Sequence, residues 1–298
     1  MIDPHNNPVR GILFMLAAMI IFSAQDGLSK YLAQSFSPVF ITMIRYWFFG
    51  LVVVAILCRK GFRAGLASGQ PKLQIFRGIL LAAEIGVALL SFHLLGLSHT
   101  HAIFAFTPLL VVALSGPFLG EKIGWRRWSA VGVGLIGMML IIRPGMVTLT
   151  AGFGVAVLAM VMFAIYAIAT RRAARTDSAM TSFYYTGLVG AIAMTLVGPW
   201  FASPVTFSQA LLLLTLCISG MTGHFLFIKA YDAAEAATLQ PFAYLQTVFA
   251  SLIGVMMFAE SLAWQTALGA AIVICAGLFA FWRERVRAKL DSEKNQTA

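Results

Sequence analysis

The chain has 298 residues, 60 % of them hydrophobic and only 11 % charged, with a mean hydropathy of +0.88. Soluble domains carry about 25 % charged residues, so this composition describes an integral membrane protein. The net charge of +10, which in a soluble chain would suggest nucleic acid, has to be read by its distribution instead, and no nucleic-acid partner is expected.

A spanning helix needs ~20 mostly apolar residues, and ten runs qualify: 11–31, 38–58, 73–94, 101–120, 127–143, 151–171, 180–200, 208–230, 237–259 and 263–282. The first has no short apolar core with a small-residue cleavage site and is expected to be retained. The longest basic connection is Arg59–Lys72. The ninth run is expected to begin late, because Pro241 suits a first turn better than a helix interior. Cys58, Cys217 and Cys275 all fall inside apolar runs and read as small hydrophobes rather than a disulfide framework. The polar tail after Leu290 is expected to be disordered.

Much of Ala102–Pro144 is written again at Ala236–Arg283. Phe118-Leu119-Gly120-Glu121 closes one apolar run and Met257-Phe258-Ala259-Glu260 another, each followed by a tryptophan, Trp125 or Trp264. Both landmarks are separated by 139 residues, so the chain reads as two copies of one unit, 1–145 and 146–298. Pro108 of the first copy becomes Thr247 in the second, which leaves the geometry of the ninth span open.

Orientation follows the basic residues. With the N-terminus in the cytoplasm, 18 of the 21 Lys and Arg residues fall on the inner side, including Arg77 and Lys229. Ten spans then leave both termini inside. Five spans per copy is odd, so the copies are inverted, with Glu121 at the inner surface and Glu260 at the outer. Two mirror-related conformations of similar energy are the physical basis of alternating access.

The helix-closing Gly-Glu and Ala-Glu pairs, Ile142-Arg143-Pro144-Gly145, Pro241-Phe242-x-Tyr244-Leu245, Phe22-Ser23-x-x-Asp26-x-x-x-Lys30 and Arg45-Tyr46 resemble the drug/metabolite transporter superfamily with two EamA-type repeats. The resemblance covers about residues 10–285, and within it the chain looks most like bacterial amino-acid exporters of the YddG type. It implies that spans 1, 3, 4, 6, 8 and 9 surround a central cavity while 5 and 10 pack outside. Gly132, Gly134, Gly137, Gly269 and Gly277 fit close packing of that outer pair.

Ionisable residues at membrane depth are candidate sites. Glu84 lies ~17 Å along the third span, near the middle. It reads either as a proton-exchanging group or as a neutral glutamate bonded to a neighbouring helix. Asp26 and Lys30 share a face of the first span, and Arg45 approaches from the second; an ion-paired outer clamp competes with a direct role towards a zwitterionic substrate. Gln25 and Ser23 lie in the same stretch. His93, His99 and His101 cluster at the outer end, but two histidines two apart on a helix face different sides, so no metal is expected. His224 and Lys229 lie near the inner end of the eighth span. On the ninth, Tyr244 shares the face of Gln240 and Thr247, with Gln246 nearby. The sixth adds Tyr166 and the fourth Phe104, Thr107 and Pro108. The candidate substrate-binding set is therefore Gln25, Asp26, Glu84, Phe104, Thr107, Tyr166, His224, Tyr244 and Gln246, with ordinary packing as the alternative for each.

No G-x-x-x-x-G-K-[ST] motif occurs, which argues against ATP-driven transport by this chain. The expectation is a secondary transporter, not an enzyme and without cofactor, that exports small metabolites, above all amino acids, across the bacterial inner membrane. Coupling to protons through Glu84 remains open. Uptake or exchange of another metabolite, including nucleoside-like compounds, is the alternative. A membrane enzyme would need convergent catalytic groups, for which the three histidines are the sole candidates. Cysteine labelling should place Glu121 and the C-terminus inside and Glu260 and Ser203 outside; both glutamates on one side would end the inverted-repeat argument.

Overall fold

A computed structural model describes residues 7–121, 124–142 and 151–296. The repeat boundary expected at 145 and the motif from Arg143 to Gly145 lie outside the described residues. So do Lys122 and the side chains of Arg126, Arg127 and the basic residues from Arg283 on.

The chain is helical: α1 Pro8–Leu32, α2 Pro38–Lys60, the short α3 Phe62–Gly65, α4 Pro71–Leu95, α5 Leu97–Phe104, α6 Thr107–Leu119, α7 Trp125–Ile142, α8 Ala151–Ala173, α9 Ala179–Val197, α10 Phe207–Ala233, α11 Ala236–Phe258 and α12 Trp264–Gln296. Among the described residues eight spans are long and apolar enough to cross a membrane, with α5 and α6 together forming one of them; α7 and α12 contribute shorter apolar stretches, Trp128–Ile141 and Trp264–Phe279. α12 continues through Gln296, so the tail expected to be disordered is helical. Its Arg, Lys, Leu and Glu residues are good helix formers. Leu51, Phe76, Ile136, Ile192, Leu196, Leu214 and Met256 are exposed, as lipid-facing residues must be.

Starts and breaks follow local chemistry. Ser37 caps α2 through the Phe40 N–H at 3.1 Å, Ser178 caps α9 through Thr181 at 3.0 Å, and Thr206 with Gln209 forms a capping box on α10. α11 starts at Ala236 and takes Pro241 in its interior, earlier than expected. So close to the start, proline removes just one backbone bond, to the Ala237 carbonyl. Pro108 does break its span, because its ring cannot donate to the Phe104 carbonyl; α5 ends there and α6 begins at Thr107. With Thr247 at the corresponding place, α11 stays continuous.

Helix partners exchange between the repeats. α1 packs along α10 as α8 packs along α4, and α1 meets α11 as α8 meets α6. α2 with α9, and α7 with α12, join the two copies directly. In the outer pair Gly137 and Gly269 face each other so closely that a Cβ on either would strike the other's carbonyl oxygen. Gly132, expected in the same contact, meets nothing.

The two repeated glutamates complete this exchange. Glu121 accepts the N–H groups of Ala236 and Ala237 at 3.2 and 3.3 Å, at the start of α11. Glu260 accepts those of Leu97 and Ser98, both at 2.7 Å, at the start of α5. Donors and acceptors alike are related by the 139-residue offset. Each glutamate at the end of one span thus caps the start of its counterpart, so α5–α6 and α11 run antiparallel and the repeats are inverted. The residue before each glutamate is left-handed: Gly120 at φ 68° and Ala259 at φ 50°.

Two expected placements are corrected. Arg77, counted among the inner loop charges, is fully buried between α4, α8 and α9. It donates to Gln74, Tyr166, Thr170, Thr186 and the Ser182 carbonyl. Lys30 pairs with Glu260 rather than forming a clamp with Asp26 and Arg45. Beside Arg77, Asp177 ties the loop before α4 to the loop before α9, accepting from the Gly69 N–H at 2.7 Å, from Gln74 at 2.8 Å and from Ser68. Burial alone would raise its pKa, but these bonds outweigh burial and hold it below the usual value.

Ala259→Gly should raise thermal stability in detergent by roughly 1 kcal/mol, because a left-handed alanine is strained, whereas Gly120→Ala should lower it; no gain from the first would contradict the strain. Asp177 has a depressed folded pKa, so its stabilisation is fully present above its unfolded pKa of about 3.9 and lost as pH falls through the folded value. Asp177→Asn should therefore be less stable than the parent at pH 7, with the deficit shrinking in acid unfolding curves. A deficit that stays constant with pH would overturn that assignment.

Candidate functional site

Two adjoining compartments occupy the centre of the bundle. The first, ≈ 460 Å³ counted with space open to the surroundings, is lined by Phe22, Gln25 and Asp26 of α1, Arg45 of α2, Glu84, Ile85, Ala88, Leu89 and Phe92 of α4, Phe104, Phe163, His224 and Gln246. The second, ≈ 430 Å³ on the same basis, lies towards the Glu121 end, with Met15, Met19, His101, Thr107, Pro108, Tyr231, Gln240 and Thr247 in its wall. Phe104, Phe163 and Gln246 line both and form the divide. Phe104 is the last residue of α5, so one shared lining residue sits where the backbone is interrupted before Pro108.

Polar groups in the first compartment are held from several helices. Gln246 donates to Asp26 Oδ2 at 2.9 Å, joining α11 to α1, and the Ser23 hydroxyl reaches the Gln246 carbonyl at 3.4 Å. His101 Nε2 lies 3.2 Å from the same Asp26 oxygen but without the direction of a formed hydrogen bond. Its ring sits between Phe92 and Phe104, with centroids 5.7 and 5.6 Å away. Arg45 donates to Gln25 Oε1 at 3.2 Å. His224 packs 4.9 Å from the Phe22 ring, and neither of its nitrogens has a hydrogen-bond partner among the described residues. Glu84 lies near the midpoint of α4, ~20 Å from its start at 1.5 Å per residue.

Seven of the nine candidate residues meet here: Gln25, Asp26, Glu84, His224, Phe104, Gln246 and, in the second compartment, Thr107. Tyr166 and Tyr244 do not. Tyr166 is fully buried behind the wall, bonded by Arg77 at 3.2 Å, and its neighbour one turn back, Phe163, faces the cavity instead. Tyr244 packs on Gly277 and its hydroxyl reaches the Val273 carbonyl at 3.5 Å, in a separate cluster with α7 and α12. At ~100° per residue, the cavity face formed by Gln240, Ala243, Gln246 and Thr247 centres near Ala243, and Tyr244 is about 100° off it. Phe163 and Phe92 are lining residues that the sequence did not single out. Phe163 had a signal, lying one turn from Tyr166 on the same span. Arg45 is the contribution of a second-span residue to a cavity expected to be walled by six others.

The profile of the EamA-like transporter family matches residues 9–143 and 150–282. The chain belongs to this family. It is 28 % identical over 276 residues to the S-adenosylmethionine uptake transporter of Rickettsia bellii, covering 92 % of this chain and 94 % of that one. It is 26 % identical over 280 residues to the riboflavin transporter of Vibrio cholerae, with 92 % and 93 % covered. The pseudopaline exporter of Pseudomonas aeruginosa is 23 % identical over 268 residues, with 89 % and 94 % covered. A solved crystal structure superposes with a TM-score of 0.66 at 20 % identity, over 92 % of this chain and 97 % of its own, which speaks to the fold alone. The narrower likeness to amino-acid exporters finds no support among these relatives, and their names include both uptake and export.

Gln246→Ala should weaken transport about tenfold, the scale of one lost charged hydrogen bond, whereas Tyr244→Phe, facing α12, should leave substrate affinity unchanged. Flux measurements on the two inserted variants decide; equal losses would contradict the division between cavity and periphery.

Proposed function

We propose that this chain is a secondary transporter that carries a small amphiphilic metabolite through the central cavity by alternating access of its two inverted repeats. The observation that carries the reading is the placement of Asp26, Glu84 and Arg45 among Phe22, Phe92, Phe104 and Phe163 in one mid-depth compartment. Charges at that depth are costly and belong to transport paths. The two substrate classes suggested by sequence, amino acids and nucleoside-like compounds, meet in one molecule, S-adenosylmethionine, which has an amino-acid head and an adenosine. The name of the Rickettsia relative supports it as the first compound to test. Amino-acid export remains within this reading, because gradient and coupling set direction. The 17 basic residues left on the inner side once the buried Arg77 is set aside support an inner-membrane orientation with cytoplasmic termini.

Coupling to protons is assigned to Glu84. Among the described residues it makes no hydrogen bond, and Asp26, Arg45 and His224 share its compartment. A carboxyl without a fixed partner can take and release a proton if the two facing states expose it differently to water. Purified protein in sealed vesicles, given labelled S-adenosylmethionine, riboflavin and amino acids under an imposed pH gradient, tests both statements. Saturable flux of at least one compound is expected. Glu84→Gln should lose gradient-driven accumulation yet keep exchange down the substrate's own gradient. No flux of any compound would refute the transport reading; full accumulation by Glu84→Gln would refute the coupling alone.

A further inference from the structure

Asp26 and Arg45 carry opposite charges into one compartment, yet they are not paired with each other among the described residues. Each is held by a neutral amide instead. Gln25 accepts from Arg45 at 3.2 Å, and Gln246 donates to Asp26 at 2.9 Å. Buried charges are ordinarily paired or fully hydrogen-bonded. Here the guanidinium, with five N–H donors available, makes one side-chain bond among the described residues, to Gln25. Asp26 uses Oδ2 alone, towards Gln246 and His101, and leaves Oδ1 without a partner among the described residues.

The surroundings are shaped to keep Arg45 in place. α10 presents Gly220 where the guanidinium passes; a Cβ there would lie 2.8 Å from Arg45 Nη2 and 3.0 Å from Gln25 Oε1. One turn further along α10, the buried His224 lines the same compartment with both ring nitrogens unpartnered among the described residues. An unsatisfied buried imidazole costs free energy that a polar ligand group would recover.

We propose that Arg45 and Asp26 are the two poles of a head-group clamp for an α-amino-acid moiety, Arg45 taking its carboxylate and Asp26 its ammonium. The inference rests on the transport reading above and names the part of the substrate it recognises. Ligand charge decides the class. A simple anion would answer Arg45 but face Asp26 and Glu84, and a simple cation would answer the carboxylates but leave Arg45 unmatched. A zwitterion satisfies both poles without changing the net charge of the compartment. The planar fork of arginine matches a carboxylate through two parallel bonds, which a lysine cannot reproduce. His224 gains a hydrogen-bond partner from the same ligand, and the phenylalanine rings hold its uncharged remainder.

The test is competition against labelled S-adenosylmethionine bound to the purified full chain. The competitors are unlabelled S-adenosylmethionine, its decarboxylated analogue, which keeps the amine, and 5′-methylthioadenosine, which lacks the whole head group. The clamp predicts that both analogues compete at least tenfold more weakly than the parent compound. In Arg45→Gln the penalty for losing the carboxylate should fall to about onefold, and Arg45→Lys should lie between. Should the Arg45 variants fail to fold, the analogue series on the parent protein decides by itself. Equal competition by all three compounds overturns the clamp while leaving transport intact. If S-adenosylmethionine does not bind, thermal stabilisation by L-phenylalanine is compared with that by its amide and its N-acetyl derivative. Stabilisation by the zwitterion alone supports the clamp with a different substrate, and no discrimination among the three overturns it.

Discussion

The fold depends on a reciprocal bond between helix ends. Glu121 closes one repeat's fourth span and caps the start of α11, while Glu260 closes α11 and caps the start of α5. The first N–H groups of a helix have no partner within it and carry the positive end of its dipole. A carboxylate answers both needs. Because each cap comes from one repeat and each capped start from the other, neither repeat caps the start of its own fourth span with its glutamate. The two antiparallel spans are fixed side by side, and the broken span at Phe104 and Pro108 is brought against Gln246.

The two ends are not equivalent. Glu260 is bonded at 2.7 Å and also pairs with Lys30 of α1, whose ammonium lies 4.4 Å from the Phe258 ring centroid. Glu121 holds its two N–H groups at 3.2 and 3.3 Å. Separation of α1 from α11 at the Glu260 end must therefore break an ion pair that belongs to the lining helix itself. The Glu121 end is tied differently, by Arg171 on the Tyr231 carbonyl, Arg175 on the Leu119 carbonyl and the Asn7 N–H on the Ala233 carbonyl. The first compartment, with Asp26, Arg45 and Glu84, lies beneath the Glu260 tie, and the second leads towards the other end.

Much of this was legible in the sequence because it is written locally or twice. Apolar run length identified the eight spans long enough to cross a membrane, while the fifth and tenth runs are shorter apolar helices among the described residues, and a fixed offset identified the repeat. Of the five glycines read for the outer pair, only Gly137 and Gly269 face each other; Gly134 meets Leu109, Gly277 meets Tyr244 and Gly132 meets nothing. The offset proved deeper than its landmarks suggested, since it also relates the caps, the left-handed residues and Pro108 to Thr247. Less legible was anything set by helix rotation. Spans that are apolar all round give no moment to say which face meets the cavity. Tyr166 and Tyr244 were thus chosen where Phe163 and Ala243 face inward. Partner choice was hidden for a related reason. Lys30 finds Glu260 far along the chain rather than Asp26 one turn away, and Arg77 enters a buried network of neutral acceptors. The function of the repeated glutamates was hidden too, because a cap across the molecule leaves no local signature on the helix it completes.

In the proposed transport cycle one cavity, built at the junction of two inverted repeats, communicates in turn with both sides of the membrane. Gln246 lines both compartments and is the place to test it. In a chain whose Cys58, Cys217 and Cys275 are replaced by alanine, a single cysteine at 246 would be exposed to an impermeant thiol reagent from either side of sealed vesicles. The account predicts labelling from both sides, slowed from each by the transported compound. Labelling confined to one side under every condition, in a variant that still transports, would contradict it.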